Sequence, residues 1–488
     1  MKPHVSSEGL RRALRRALPL AFAALLSACA SLAPPAGSAL PDRPVPSAWS
    51  TSDAKPASAS PTSLADWWQR LDDPALTGLV TKTLKANSSV RSAQAAVRQS
   101  RALADEQSAG LGPTLDASAS AQRNRSGNDD ASNRFQAGFD ASWEPDIFGG
   151  KRSAADASEA DVRVSAASLA DVQVSLAAEA ASSYINLRGL QSRLAIAKRN
   201  LASQQETLQI TRWRAQAGLV SSLDVEQAVT ATEQTRAQVP SLQTSVDQAL
   251  NALAVLTGQA PGALHATLGS EAPIPAAPAD LALAFPADTL RQRPDVRAAE
   301  WRAEAALSRV AVADAARYPS FRLSGSLGLS ALTLGALTDG ASVLKSVLAG
   351  VSAPLFDGGA GRARVRAQEA ALDQARVAYE ATVLTALQEV EDALVAIQGD
   401  RERLARLQAA ATAAANAELL ARNRYESGLI DFSTVLVTQR TLLTAQDSVA
   451  ATQASLSTDH VRLYKALGGG WTPDAEPHSA ALPSNPPN

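Results

Sequence analysis

The sequence predicts a mainly helical chain with a small β part, laid out as a tandem repeat. Three observations predict this: the composition, a self-match at near-constant spacing, and two alternating hydrophobic periods. Of 488 residues only 4% are aromatic, and long stretches are Ala, Gln, Ser and Arg, which suits long helices and argues against large compact cores. The 46 Lys+Arg against 48 Asp+Glu give a net charge of -2, so no basic excess points to nucleic acid. A mean hydropathy of -0.09 and the lack of any apolar run of about 18 residues exclude a bundle of transmembrane helices.

The first 28 residues read as an export signal. Lys2, Arg11, Arg12, Arg15 and Arg16 precede an apolar segment, Ala17 to Leu26, too short to span a bilayer. It ends Leu26-Ser27-Ala28-Cys29, the pattern of a bacterial lipobox, in which the cysteine is acylated and becomes the mature terminus. The alternative is a chance thiol behind an ordinary signal peptide. Two or three acyl chains anchor stably where one does not, and the non-acidic Ala30 favours the outer membrane. Cys29 is the only cysteine, so the mature chain has neither a disulfide framework nor a thiolate metal site. Residues 29–62, rich in Pro, Ser and Ala, read as an acylated tether, and 472–488 as a disordered tail.

Between tether and tail the sequence repeats once, as 63–270 and 271–471. Thr83-Leu84 with Val90-Arg91 matches Thr289-Leu290 with Val296-Arg297, and Gly112-Pro113 matches Tyr318-Pro319, both 206 apart. Pro145 with Gly149-Gly150 matches Pro354 with Gly358-Gly359 at 209, and Arg214 with Gly218-Leu219 matches Arg424 with Gly428-Leu429 at 210. Each half therefore carries the same order of elements: a helix, two strands and a long helical hairpin.

The helices show in the seven-residue period. Lys151 to about Gln216 lacks proline and carries Leu187, Leu194, Leu201 and Leu208 at coiled-coil spacing. Val239, Leu242, Val246, Leu253 and Leu256 continue the pattern on the return, where Pro240 predicts a kink or break. In the second half Val383, Leu387, Val390, Leu394 and Ile397, then Val435, Leu442, Val449, Leu456 and Leu463, repeat it. A helix of about 66 residues runs roughly 100 Å, which implies a rod or a tube.

The strands show in the two-residue period. Leu115, Ala117, Ala119 and Ala121 alternate with polar residues, a polar loop follows from Asn124 to Asn133, and Phe135, Ala137, Phe139, Ala141 and Trp143 alternate again. Phe321 to Leu329 and Val347 to Ala353 do the same in the second half. In isolation this describes two soluble hairpins packed on a helix; behind a lipobox it describes strands of an outer-membrane barrel, with Trp143 and Tyr318 as interfacial anchors. Four strands cannot close a barrel, and open edges are forbidden in lipid, so several copies must contribute.

These residues resemble the outer membrane factors, the TolC-like exit ducts, and most closely the NodT-type lipoproteins of efflux systems. The resemblance covers nearly all of the mature chain. It rests on Trp67-Trp68 with Asp73-Pro74-Ala75-Leu76, Arg293-Pro294-Asp295-Val296-Arg297-Ala298-Ala299-Glu300, Tyr318-Pro319-Ser320, Pro354-Leu355-Phe356-Asp357-Gly358-Gly359, Glu389-Val390-Glu391-Asp392-Ala393-Leu394 and Leu467-Gly468-Gly469-Gly470-Trp471, all in family order. It implies a trimeric α-barrel of long coiled-coil helices joined to a 12-stranded transmembrane β-barrel, with four strands from each chain. It further implies no enzymatic activity and no cofactor beyond the lipid at Cys29. The implied partners are a periplasmic adaptor and an inner-membrane pump of the RND type, and the implied substrates are drugs or metal ions.

A passive duct needs a docking surface and a closable end, so the candidate residues lie at the two hairpin tips. Arg214, Ala217, Gly218 and Leu219 form one tip, and Arg424, Ser427, Gly428 and Leu429 the other. Glycine permits the positive φ of a sharp turn and a close approach by an adaptor hairpin, while each arginine is placed to cap tip carbonyls or contact the adaptor. The candidate gate is Asp224, at an acidic position of the family, with Asp431 as a second acidic ring and Val437 as an apolar constriction. Thr434 and Val437 stand where the family often has aspartates, and Ile430 where a pairing arginine occurs. No catalytic constellation is visible: His4, His265, His460 and His478 are scattered without metal-ligand spacing, and Gly358-Gly359-Ala360-Gly361 lacks the Lys-Ser/Thr of a phosphate loop. The competing functions are an exit duct of a type I protein secretion system and a structural periplasmic coiled-coil lipoprotein.

Overall fold

The computed structural model describes residue 49, residues 64–125, 127, 130–276, 286, 290 and 292–471. Cys29, the export signal, the tether except Trp49, and the tail lie outside the described residues, as do His4 and His478. The longer elements are helices α1 (Pro74–Ala86), α2 (Ser88–Ala109), α3 (Gly150–Gln216), α4 (Ser222–Leu256), α5 (Pro294–Ala315), α6 (Ala360–Glu426) and α7 (Phe432–Ala466), with strands β1 (Thr114–Asn124), β2 (Ser132–Trp143), β3 (Ser320–Ala331) and β4 (Val343–Ser352). The repeat is visible in their lengths. Helices α2 and α5 have 22 residues each, α3 and α6 have 67, and α4 and α7 have 35. The chain divides into two compact units.

The first unit comprises residues 101–161 and 302–377 among those described. Its sheet runs β1-β2-β3-β4, antiparallel throughout, with β1 and β4 as edges. The register puts odd-numbered residues together: Ala117 faces Phe139, Phe139 faces Leu327, and Phe321 faces Val351. One face is therefore apolar across all four strands, and the other carries Ser118, Asp140, Ser326 and Ser346. Two boundaries differ from the sequence reading. The strands continue into the polar loop, leaving only 125–131 between them, because Asn124 and Ser132 still pair. Strand β4 begins at Val343 rather than Val347 and ends before Ala353, because Lys345 stands on the apolar face and hides the alternation.

Turns from strand to helix hold the helix starts. Asp146 accepts hydrogen bonds from the Lys151 and Arg152 amides at 3.0 and 2.9 Å, and Asp357 from the Gly359 and Gly361 amides at 2.8 and 2.6 Å. The Gly361 amide, then that of Gly359, holds the Asp357 carboxyl below its ordinary value. The amides of Gly359 and Gly361 are thus occupied by the chain's own carboxylate and that of Ala360 by the Asp357 carbonyl, as a helix start requires. Trp143 donates its indole N–H to the Leu111 carbonyl at 3.0 Å. Tyr318 stacks on Phe148 at 5.0 Å, so its ring is spent on packing and only Trp143 stays exposed.

The second unit holds the main core. Helix α1 starts at Pro74, with Asp73 accepting from the Ala75 and Leu76 amides at 2.8 and 3.0 Å, a cap worth about 1 kcal/mol. The Tyr184 hydroxyl donates to the other Asp73 oxygen at 2.9 Å, tying α1 to α3. The heptad residues Leu187, Leu194, Val246, Leu253, Val390, Ile397 and Leu463 are buried in one cluster with Trp67, Trp68 and Tyr464. Trp67 stacks on Tyr464 at 5.4 Å. A Cβ at Gly469 would lie 2.9 Å from both Trp67 and the Tyr464 carbonyl, so only glycine fits there.

Arg293 is where three of the sequence motifs meet. Buried at 7% exposure, it forms a two-pronged pair with Asp295 at 3.0 and 2.7 Å, reaches Glu389 at 2.8 Å, and donates to the Ala466 carbonyl at 2.9 Å. Three acceptors compensate a buried guanidinium that would otherwise be costly. The motifs around Arg293, Glu389 and Leu467 are therefore scaffold. Helix α4 runs through Pro240 without a break, since a single missing N–H is tolerated where the neighbouring turns hold the backbone.

Candidate functional site: the hairpin tips

The two tips share one backbone. At the end of α3, the Gly218 amide donates to the Ala215 carbonyl at 3.0 Å and the Leu219 amide to Arg214 at 2.8 Å; at the end of α6, Gly428 donates to Tyr425 and Leu429 to Arg424, each at 2.9 Å. This pair of bonds closes a helix on a left-handed residue, and Gly218 and Gly428 have φ of 73° and 74°. Leu219 and Leu429 stand 72% and 73% exposed at the turns. Ala217 and Ser427 are exposed beside them.

A small core binds the two hairpins together at this end. Leu208 of α3, Ala228 of α4, Tyr425 of α6, and Phe432 and Val435 of α7 are buried, with Val220 and Ile430 packed against them. Tyr425 and Phe432 pack ring to ring at 5.3 Å. Arg214 lies 4.5 Å over the Tyr425 ring and donates to the Tyr425 carbonyl at 2.7 Å and to the Glu426 carbonyl. It thus caps the last turn of α6, in the other hairpin, where a cation meets the negative end of the helix. Arg424 is exposed. Of the two roles open to the arginines, Arg214 takes carbonyl capping.

The candidate gate residues are treated unequally. Asp224 sits at the third position of α4 in a reciprocal cap: its carboxylate accepts from the Ser221 amide at 2.9 Å and hydroxyl at 2.8 Å, while its own amide donates to the Ser221 hydroxyl at 3.3 Å. Asp431 is the residue before α7, exposed, and its side chain makes no capping bond. Val437 is 52% exposed, Thr434 is exposed and Ile430 is half-buried. Sequence reading passed over Trp213, 59% exposed beside the tip, and Tyr425, the centre of the tip core. An aromatic within five residues of a helix-ending glycine was the available signal for each.

No group of three His, Cys, Asp or Glu is placed to hold a metal ion among the described residues. Buried His460 donates from Nδ1 to the Leu456 carbonyl at 2.8 Å, which leaves Nε2 to accept from Arg401 at 3.2 Å. Burial lowers its pKa. It serves as packing, more than six turns of α7 from Val437 and the tip.

The model of the outer membrane efflux protein family matches residues 79–259 and 285–469. The chain is 33% identical to the outer membrane protein OprJ of Pseudomonas aeruginosa over 439 residues, 88% of this chain and 91% of that one. It is 32% identical to nodulation protein T of Rhizobium leguminosarum over 92% of each chain. A solved structure of the outer-membrane channel OprN superimposes with a TM-score of 0.80 at 35% identity, covering 88% of this chain and 99% of that one. The match spans both hairpins and the sheet, so the long helices, the four strands and the tips are those of a transport family rather than an enzyme family. This chain belongs to the outer membrane efflux protein family and is an outer membrane efflux channel.

Proposed function

We propose that three copies of the chain form one duct, the exit of a tripartite system in which an inner-membrane pump and a periplasmic adaptor deliver small molecules. The observation that carries this reading is the sheet: an exposed apolar face, a polar face and two free edges. In lipid such edges must pair, and three copies give a closed barrel with the apolar face outward. The repeats 63–270 and 271–471 each supply one β-hairpin and one helical hairpin, residues 1–28 direct export, and the lipid on Cys29 with the tether 29–62 fastens the duct. The role is passive and needs no cofactor. Membership of an efflux family favours small molecules such as drugs or metal ions over secreted proteins.

The hairpin tips dock the adaptor through Arg424, Ala217, Gly218, Leu219, Ser427, Gly428 and Leu429, with Arg214 holding the two tips in one unit. Asp431, whose carboxylate has no capping duty, and Val437 narrow the duct, and Asp224 contributes as far as its cap allows. Conductance in planar bilayers tests the duct: the purified protein forms trimers that resist heating in detergent and open ion-conducting pores. A monomer without conductance would refute it. Unchanged single-channel conductance in Asp431→Asn and Val437→Ala variants would remove the gate assignment while leaving the duct.

A further inference from the structure

The lipid-facing side of the sheet has a charge imbalance. Its odd-numbered positions on all four strands are apolar or small except for Asn133, Arg123 and Lys345. Both charges are positive, both are exposed, and every carboxylate of the strands, Asp116 and Asp140, lies on the other face. Arg123 is next to the last residue of β1, and Lys345 is the third residue of β4. Both therefore lie near the ends of their strands that lead into hairpin loops, away from the helices. Arg125, also exposed, follows β1 with the same parity.

Within one chain Arg123 and Lys345 stand on opposite edges of the sheet. Closing the barrel brings them together, and the repeat supplies the register. Trp143 of β2 lies opposite Leu323 of β3. The repeat carries Leu323 onto Ala117, 206 residues earlier, and the apolar face carries Trp143 onto Val351 or, one step further on that face, Ala353. A partner copy joined to β4 as β3 is joined to β2 then sets Val351 or Ala353 opposite Ala117 of the partner subunit. Counting back along antiparallel strands, Lys345 faces Arg123 of the partner subunit in the first register and Arg125 of the partner subunit in the second. Both registers that the repeat selects set cation against cation.

Like charges directly opposite across strands repel, and an apolar, lipid-exposed surround offers no water to screen them. No strand carboxylate shares their face, so the seam suits a counter-ion from outside the chain. We infer that each seam between copies binds a phosphate-bearing lipid headgroup of the outer leaflet, held by Lys345 of one copy with the arginines at the end of the next copy's β1. The hairpin-loop end of the barrel faces outward when the helices are periplasmic, and long basic side chains reach from lipid-facing positions to headgroup level. The outer leaflet carries phosphorylated glycolipid, and guanidinium groups pair with phosphate in two-pronged fashion. This inference rests on the trimeric barrel proposed above.

The test uses the full-length acylated protein purified as a trimer in mild detergent. Its thermal unfolding and native mass are measured with lipopolysaccharide, with phosphatidylethanolamine and with inorganic phosphate. The wild type is expected to retain and be stabilised by lipopolysaccharide in preference to the zwitterionic lipid, with inorganic phosphate without effect. Lys345→Gln and the pair Arg123→Gln with Arg125→Gln should each weaken lipopolysaccharide binding, by about fivefold per cation removed, the worth of one basic side chain beside an anionic surface. Arg134→Gln, on the polar face of β2, is the control and should bind as wild type. A trimeric, conducting wild type with no preference for lipopolysaccharide, or a variant combining Lys345→Gln, Arg123→Gln and Arg125→Gln that binds it undiminished, overturns the inference alone. Failure to form trimers overturns the barrel and the inference with it.

Discussion

The two hairpin tips have the same backbone and different chemistry. Each ends a 67-residue helix on a glycine at positive φ with the same two hydrogen bonds. At the first, Ser221 and Asp224 complete a reciprocal cap; at the second, the equivalent residues are Asp431 and Thr434, and the cap is missing. Ala215 of the first tip corresponds to Tyr425 of the second, which is buried and overlain by Arg214. The counterpart of Arg214 is Arg424, which is exposed. A duplicated backbone has thus been specialised by side chains, one tip bracing the other and leaving the second with a carboxylate free for other work.

That asymmetry is open to direct attack. The largest effect should follow Tyr425→Ala, which empties the tip core and costs about 3 kcal/mol of local stability, whereas Ala215→Ser at the matching position should cost less than about 0.5 kcal/mol. Amide exchange in the 205–235 and 415–445 segments reads both, and similar protection in the two variants would abolish the distinction. Next comes Arg214→Ala, expected to cost about 2 kcal/mol through two charge-assisted bonds to carbonyls, with Arg424→Ala close to neutral. Ser221→Ala should cost about 1 kcal/mol as a lost cap, while Asp431→Ala should change stability by less than about 0.5 kcal/mol; a reversal of that order would show that Asp431 caps α7 in solution.

A smaller contrast of the same kind lies in the core, where His460 occupies the position of Leu250 in the first repeat. Burial holds the His460 pKa below its ordinary 6.5, with a contribution from the Arg401 guanidinium. The unfolded chain therefore takes up a proton that the folded chain resists, and stability falls as pH drops through and below the ordinary value. His460→Leu should flatten the dependence of the unfolding midpoint between about pH 7 and pH 5. An unchanged slope would place the pH sensitivity elsewhere.

Local features were readable from sequence and long-range ones were not. The proline-free heptads delivered the long helices, and alternation delivered the strands, because both periods are written in consecutive residues. Lys345 concealed the start of β4, since a single charge on the apolar side breaks the very pattern by which a strand is recognised. The spacing of Ser221 and Asp224 spells a cap, yet a family expectation of acidic rings drew attention to the carboxylate and away from its neighbour. Arg214 bonding to the end of α6, and Arg293 gathering Asp295, Glu389 and Ala466, depend on residues brought together only by folding. Conspicuous motifs marked scaffold as readily as function.

The proposed docking role of the tips is tested most directly by a cysteine at Ala217 or Ser427 in the full-length protein, where the proposed acylation of Cys29, the only cysteine, would leave the new thiol as the only one free. Crosslinking in intact cells, followed by mass spectrometry of the captured species, should yield the periplasmic adaptor of a pump for small molecules from both positions. A protein that reaches the outer membrane and conducts ions, but yields no adaptor from either tip, would contradict the assignment of the tips as the docking end of an efflux duct.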